Sequence, residues 1–263
     1  MPIITLTTDF GRRDHYVACM KGVISQIAPK ATMIDVTHEI EPGNVMQGAF
    51  VLRQTVGWFP AGTVHLAVVD PGVGTARRVI VAQYDEQYVV APDNGLISMV
   101  HHHLAVREVR VVENGNLILP SVSATFHGRD VMAPVAAHLA SGAKMRDIGP
   151  MADQVEVLQI DRPQVLADRT VQGQILYTDA FGNLITNISR DDVGLVYRQH
   201  PQAEVYVGEV SVGRLCGTYA DVPPGQPLAV VGGTDMLEIS VNRGSAQDHF
   251  QPAPDTIVTV KPA

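Results

Sequence analysis

The segment Val64-His-Leu-Ala-Val-Val-Asp-Pro-Gly-Val-Gly-Thr75 carries the clearest structural signal in the first half of the chain. Its first six residues form a short apolar run, which Asp70-Pro71-Gly72 breaks abruptly. Such a run is typical of a strand that is buried on both faces of a parallel sheet. Because ligands gather beyond the carboxyl ends of strands in such sheets, the residues after this run are candidates for a binding site.

The segments around this strand alternate between strand-like and helix-like patterns. The predicted strands are residues 3–8, 33–36, 64–69, 78–82 and 88–91. The predicted helices are residues 16–27, a segment from 45 to 56 that Asn44 caps, and residues 130–139. This alternation predicts an α/β N-terminal domain over residues 1–160.

The pattern changes after Pro150. Short strand-like runs punctuated by Gly and Pro follow at residues 155–160, 171–177, 184–188, 205–210, 228–231, 237–241 and 257–260. With few helical patterns among them, they predict an all-β C-terminal domain over residues 165–263, either a barrel or a sandwich. Asp161-Arg162-Pro163 is the predicted linker between the domains.

Composition narrows the class of protein. Of 263 residues, 46% are apolar and 17% charged, which favours a folded core over disorder. Nineteen basic and 27 acidic side chains give 19 − 27 = −8 without a Lys/Arg block, so no nucleic-acid partner is expected. The N-terminus has no basic signal-peptide region and no run is long enough to span a membrane, so we expect a cytoplasmic protein without membrane contact. Cys19 and Cys216 fit no metal-binding spacing and are expected to be reduced thiols.

Two acidic residues follow predicted strands of the same sheet. Asp9 stands where the first strand ends and has the chemistry to accept hydrogen bonds from a vicinal diol such as ribose; the alternative is a turn or helix cap. After Asp70, Gly72 and Gly74 allow main-chain N–H groups to approach a ligand, although a tight turn explains them equally well. One of the two following arginines, at positions 77 and 78, is expected to pair with Asp70.

Two further motifs carry side chains suited to a nucleoside. His127, in Thr125-Phe-His-Gly-Arg-Asp130, is a candidate base or a structural histidine. In Asp179-Ala-Phe-Gly-Asn183, Phe181 offers a stacking face and Asn183 a paired donor and acceptor for an adenine edge; the alternative is an ordinary β-turn. Together these signals suggest a nucleoside pocket without a phosphate loop or a metal site.

At the level of whole motifs, the chain resembles the S-adenosyl-L-methionine (SAM) hydrolases, also called SAM hydroxide adenosyltransferases, which are relatives of the SAM-dependent fluorinase and chlorinase. The matching motifs run in family order over nearly the whole chain. They are Thr7-Thr-Asp-Phe-Gly11, Val69-Asp-Pro-Gly-Val-Gly-Thr75 with Arg77, Ala91-Pro-Asp-Asn-Gly95, Thr125-Phe-His-Gly-Arg-Asp130, and Asp179-x-Phe-Gly-Asn-x-x-Thr-Asn187.

The resemblance implies a fold, an assembly and a reaction. It implies an α/β domain followed by a β-barrel, in a homotrimer whose sites lie between subunits. It also implies a metal-free reaction without a cofactor, in which SAM is the substrate and water attacks C5′ to give adenosine and L-methionine. The implied catalytic residues are Asp70, Arg77 and His127, and the implied substrate-binding residues are Asp9, Asp14, Asp179, Phe181, Asn183, Glu238 and Asn242.

Two alternatives to hydrolysis stay open. The halogenases carry Tyr where Asp70 stands and lack the histidine at position 127, which argues against a halogenase. Near the C-terminus, Gly232-Gly-Thr-Asp235 stands in place of the family's usual Asn-Ser-x-Gly, so a serine expected at the methionine end is either missing or replaced by Thr234. A SAM- or adenosine-binding regulator without significant turnover is therefore the second alternative.

Overall fold

The predicted buried strand lies near the middle of a six-stranded mixed sheet. The computed structural model describes residues 1–262, and for His102 the backbone alone. Two units, Met1–Gln159 and Ile160–Ala263, each hold a core of their own. The first unit contains β1 (Ile3–Thr8), α1 (Tyr16–Ile27), β2 (Thr32–Thr37), α2 (Val45–Val56), β3 (Val64–Val68), β4 (Val79–Tyr84), β5 (Gln87–Pro92), α3 (Ser98–His103), β6 (Val106–Val111) and α4 (Ala133–Ala140).

The strand order places two acidic loops at one edge of the sheet. The order is β2-β1-β3-β5-β4-β6, in which β2, β1, β3 and β5 run parallel to one another and β4 runs antiparallel to its neighbours β5 and β6. In the β1–β3 register Thr8 lies opposite Val68. Asp9 and Asp70 therefore follow strands of one sheet, as the sequence predicted, and the structure shows that these strands are parallel neighbours.

Helices cover both faces of the sheet, which is why β3 is buried along its whole length. Val64, Leu66 and Val68 pack with α1 and α4 on one face. Ala67 and Val69 pack with α2 and α3 on the other. All five residues of β3 are buried. None of the helices in the described part of the chain is long and apolar enough to cross a membrane.

Three details of the first unit differ from the sequence prediction. Residues 155–160 are not a strand, because their backbone bonds to side chains: Asp93 accepts the N–H of Glu156 and Ser98 that of Leu158. Strand β6 was not predicted. The predicted helix 130–139 begins instead as a π-helical turn, Gly128–Met132, before α4.

The second unit is a closed barrel with helical additions. It contains β7 (Gln164–Val165), β8 (Val171–Thr178), β9 (Leu184–Ser189), α5 (Arg190–Tyr197), β10 (Glu204–Val207), β11 (Val210–Cys216), β12 (Pro227–Val231), β13 (Met236–Val241), α6 (Ala246–Phe250) and β14 (Ile257–Lys261). Seven strands close in the order β14-β10-β11-β12-β13-β9-β8 because β14 also pairs with β8, and β7 adds to β8. The structure thus decides for a barrel rather than a sandwich.

The sequence predicted an all-β second domain, but the second unit also contains the helices α5 and α6. Helix α5 begins with a capping box in which Ser189 and Asp192 satisfy each other's backbone N–H groups, and its Val193 and Val196 pack into the barrel core. The predicted strand 205–210 is two strands, since Gly208, at a φ of +58°, turns the chain between β10 and β11.

A buried histidine links three parts of the first sheet. His65 on β3 is fully buried, with Nδ1 2.8 Å from Thr5 Oγ1 on β1 and Nε2 3.2 Å from Gln87 Oε1 on β5. The amide of Gln87 donates to the carbonyl of Phe59, so its oxygen is left to accept from the imidazole. Burial lowers the pKa of His65 from 6.5 to about 4.

The lowered pKa of His65 predicts that the protein loses stability in mild acid. The unfolded chain binds a proton near pH 6.5, whereas folded His65 stays neutral down to about pH 4, so stability is lost as the pH falls through that window. Between pH 7.5 and 4.5 we expect the free energy of unfolding to fall by roughly 2 to 3 kcal/mol more in the native protein than in His65→Gln. Denaturant titrations at both pH values measure it, with the exposed His103→Gln as control. An identical pH dependence in native protein and His65→Gln contradicts this role.

Candidate active site

Asp70, Arg77 and His127 form a hydrogen-bonded cluster beyond the end of β3. Arg77 Nε lies 2.9 and 3.0 Å from the two Asp70 carboxylate oxygens, and Nη2 also donates to Oδ2. The same Nη2 lies 3.0 Å from His127 Nδ1. The ion pair is largely buried, with side-chain exposures of 9% for Arg77 and 6% for Asp70. The structure therefore brings together the three residues that the family resemblance implied as a catalytic set.

The contact with Arg77 selects one tautomer of His127. A guanidinium group only donates hydrogen bonds, so Nδ1 of His127 acts as an acceptor. In the neutral ring the proton then resides on Nε2. His127 thus offers an N–H donor at Nε2, and Asp70 is the carboxylate of the cluster.

Glycine is required where the Asp70 loop meets the loop that carries His127. Gly74 has a φ of +78°, and a Cβ there would lie 2.4 Å from the carbonyl oxygen of Ala124. The loop also contains two tight turns, in which the N–H of Val73 donates to the carbonyl of Asp70 and the N–H of Thr75 to the carbonyl of Gly72. The missing side chain at Gly74 lets this loop lie against the backbone at Ala124.

A second buried carboxylate holds the loop before His127. Asp130 is fully buried, accepts from the N–H and the hydroxyl of Ser123, and pairs with Arg129. The Ser123 hydroxyl oxygen in turn accepts the N–H of Phe126, next to His127. Arg129 and Ser123 keep the pKa of Asp130 below its ordinary value despite its burial. The sequence motif contained Asp130, but only the folded loop shows this anchoring.

Asp9 is held by the backbone of the loop after β2. Its Oδ2 accepts the N–H of Gly43 at 2.9 Å. Burial raises the pKa of Asp9, and the nearby negative charge of Asp70 raises it further, whereas the bond from Gly43 opposes the rise. Because Gly43 contributes only a backbone group, no side-chain pattern in the sequence marked it.

Asp9, Asp70 and His127 line one cavity of about 290 Å³. Its apolar wall includes an aromatic group, in which Phe10, Tyr16 and Phe126 lie 5.2 to 5.8 Å apart between ring centroids. The cavity thus combines two carboxylates, an imidazole and aromatic faces, which suits an uncharged ring system attached to a polyol and a positive charge.

Two other polar residues of this unit lie outside the hydrogen bonds described for the cluster. Asp14 is exposed in the segment between β1 and α1. Arg78 does not pair with Asp70; its guanidinium binds the buried carboxylate of Asp93 and the carbonyl of Gln154. Of the two arginines that the sequence offered as partners, Arg77 is the one that contacts Asp70.

The second unit carries its own candidate residues in the β8–β9 turn. Asp179 Oδ1 accepts the N–H groups of Phe181 and Asn183, and Asn183 Nδ2 donates to Oδ2. Phe181 is 80% exposed, while Asn183 is buried. The turn interpretation accounts for these bonds, and the stacking and adenine-binding roles of the segment stay predictions.

Glu238 and Asn242 also take part in bonds within the barrel. Buried Glu238 Oε1 accepts from the hydroxyls of Tyr219 and Ser240, at 2.5 and 2.7 Å. Burial raises the pKa of Tyr219 to about 12, and the hydrogen bond to Glu238 and the negative charge of that residue add to the rise. A Cβ at position 232 would lie 2.6 Å from Glu238 Oε2, so glycine there makes room for the carboxylate. Asn242 Nδ2 donates to the carbonyl of Val222.

No metal cage is found among the side chains that the structure describes, which contain no suitable group of three or more His, Cys, Asp or Glu. Cys19 and Cys216 are both free and partly buried.

Comparison with known proteins agrees with the motifs. Residues 4–149 match the family described as SAM hydroxide adenosyltransferase N-terminal domain, and residues 173–259 the corresponding C-terminal domain. A protein of Salinispora tropica named (R)-S-adenosyl-L-methionine hydrolase is 39% identical over 94% of this chain and 93% of its own. A protein of Actinoplanes named fluorinase is 30% identical over 73% of each chain. The crystal structure of an uncharacterized conserved protein from Thermotoga maritima superposes with a TM-score of 0.91 at 38% identity, covering 98% of this chain and 99% of that one.

Proposed function

The chain belongs to the SAM hydroxide adenosyltransferase family, and we propose that it is an enzyme that hydrolyses (R)-S-adenosyl-L-methionine to adenosine and L-methionine. The observation that carries the proposal is the Asp70–Arg77–His127 cluster, which borders the same cavity as Asp9. The (R) configuration at sulfur comes from the name of the relative in Salinispora tropica.

The reaction suits the side chains of the cavity. The oxygen of a water molecule forms a bond to C5′ of SAM while the C5′–S bond breaks, and its electron pair stays on sulfur as the neutral thioether of methionine. Because a neutral thioether leaves without a proton, the reaction requires no general acid, metal or cofactor. The cavity has to place one water in line with the C5′–S bond and receive its proton.

The geometry divides these tasks among the cluster. The Nε2–H of His127 donates to the water oxygen and orients it, since Arg77 occupies Nδ1. Asp70, oriented by its two-pronged bond with Arg77, receives the proton of the water as the new C–O bond forms. The sequence left the proton acceptor open among the three residues, and the tautomer of His127 favours Asp70.

The remaining candidates are assigned to substrate binding. Asp9 accepts hydrogen bonds from the ribose hydroxyls, and Asp14 adds a contact on the same side of the ligand. Asp179, Phe181 and Asn183 serve the amino-acid and adenine ends, together with Glu238 and Asn242. These roles follow the family resemblance and the polar chemistry of the side chains, and a cytoplasmic location stays a prediction from the sequence.

The halogenase alternative conflicts with the charge of the cavity. A halide nucleophile has to approach C5′ past the carboxylates of Asp70 and Asp9, and like charges at such distances repel. Water carries no charge, so the carboxylates of Asp70 and Asp9 do not repel it. The carboxylate at position 70 thus favours water as the nucleophile.

The position of the oxygen atom tests which bond breaks. In ¹⁸O-labelled water we expect adenosine that is two mass units heavier and methionine without label, because the solvent oxygen bonds to C5′. Mass spectrometry of both products, beside a reaction in ordinary water, measures it. Methylthioadenosine, S-adenosylhomocysteine or unlabelled adenosine as the main product refutes the assignment.

Removing the charge of Asp70 tests whether the protein is an enzyme or a SAM-binding regulator. Asp70→Asn keeps the shape but loses the proton acceptor, so we expect SAM binding to persist while turnover falls by roughly two to four orders of magnitude. Asp85→Asn is the matched control, since Asp85 lies exposed in the β4–β5 turn at a positive φ that Asn tolerates. Equal SAM binding without products from any of the proteins supports the regulator instead.

We further propose a homotrimer in which residues of both units contribute to each site from different subunits. The proposal is supported by the division of the candidate residues between the two units and by the resemblance to the family. Native mass spectrometry is expected to show three chains, and adenosine binding is expected to weaken on dilution into the monomer range. Tight adenosine binding by a proven monomer contradicts the shared site.

A further inference from the structure

A line of polar side chains runs beneath the loop that carries Asp9, and the proposed reaction uses none of them. Thr8 and His38 are buried, with Thr8 Oγ1 2.9 Å from His38 Nδ1. His38 Nε2 lies 3.2 Å from Asp35 Oδ1, close enough for a charge contact but outside hydrogen-bond geometry, and Lys21 Nζ donates to Asp35 Oδ2 at 2.7 Å. The hydrogen bond with Thr8 and the nearby carboxylate together orient the buried imidazole.

The partners set the direction of each hydrogen bond. His38 Nε2 carries a proton because it faces a carboxylate oxygen. In the neutral ring Nδ1 is then an acceptor and takes the hydroxyl proton of Thr8. Thr8 Oγ1 in turn accepts the backbone N–H of Phe10 at 3.3 Å. The imidazole thereby acts on the backbone that immediately follows Asp9.

The backbone of the same histidine holds the loop from its other side. The N–H of Gly11 donates to the carbonyl of His38 at 2.7 Å, and the N–H of Ile40 lies 3.4 Å from the carbonyl of Thr8. Further along, Gly43 binds the Asp9 carboxylate. The loops after β1 and β2 are therefore joined on both sides of His38.

We propose that His38 is a positioning residue that, through Thr8, holds Asp9-Phe10-Gly11 in the geometry in which Asp9 meets the ribose hydroxyls of the substrate. The inference rests on the proposed function, because it assigns the group that Asp9 binds. Asp70 and His127 are held by Arg77 rather than by this line, so loss of His38 weakens binding more than it slows the chemical step.

Two substitutions of similar polarity test the roles of the two ring nitrogens of His38 one at a time. The amide of His38→Asn lies near the place of Nδ1 and keeps a partner for Thr8, whereas the longer His38→Gln reaches toward Asp35 and loses it. For His38→Gln we expect the KM for SAM and the Kd for adenosine to rise about tenfold, with kcat within about threefold of the native value. For His38→Asn we expect all three constants within about threefold.

A second pair keeps the test decisive if the histidine variants do not fold. Thr8→Val removes the hydroxyl at constant shape and is expected to match His38→Gln, while Thr8→Ser restores the native constants. Lys21→Met removes the other partner of Asp35, a partly exposed ion pair, and is expected to leave KM and kcat within about twofold. Thermal unfolding establishes that each variant used is folded.

The outcomes distinguish this inference from the proposed function. Equal losses in folded His38→Asn and His38→Gln, or a fall in kcat at unchanged KM, overturn the positioning role. Native rates and adenosine affinity in folded His38→Gln and Thr8→Val overturn it as well. A native protein that neither hydrolyses SAM nor binds adenosine defeats the proposed function, a result that the native sample shows before any variant is made.

Discussion

The guanidinium of Arg77 holds the active cluster together. It is the group that contacts both Asp70 and His127, which come from loops 50 or more residues apart in the chain. Its Nη2 serves both partners at once and its Nε also binds the carboxylate, so the orientation of Asp70 and the tautomer of His127 depend on one guanidinium group. A lysine in its place supplies one charge but not this forked geometry.

The fold brings these loops to Arg77 by two constraints. The parallel register of β1 and β3 places Asp9 and Asp70 at one edge, and the absence of a side chain at Gly74 lets the Asp70 loop approach the backbone at Ala124. Buried polar groups hold the loops on either side. Asp130 does so for the loop before His127, and the bonds of His38 do so for the loop after β1. The cavity is therefore preorganised by groups that do not themselves face it.

The accuracy of the sequence predictions follows from the range of the interactions involved. Strand β3 and helix α1 show apolar patterns of their own, and their observed bounds lie within a residue of those predicted. Residues 155–160 carry a strand-like pattern but bond to Asp93 and Ser98, some 60 residues away, which no local pattern records. Helix α5 was missed because its signal is a capping box rather than a long apolar face.

Periodicity and motif spacing are local properties, so they were enough to predict the α/β character of the first half and the strand-rich second half. They also marked Asp9, Asp70, Arg77 and His127 as candidates. The folded chain was needed to show that the second half closes as a barrel, that Arg77 rather than Arg78 binds Asp70, and that His127 presents its Nε2–H. The β14–β8 pairing and the contact between Arg77 and His127 join residues 50 or more positions apart. Such contacts depend on how the whole chain packs, so they become visible only once it has folded.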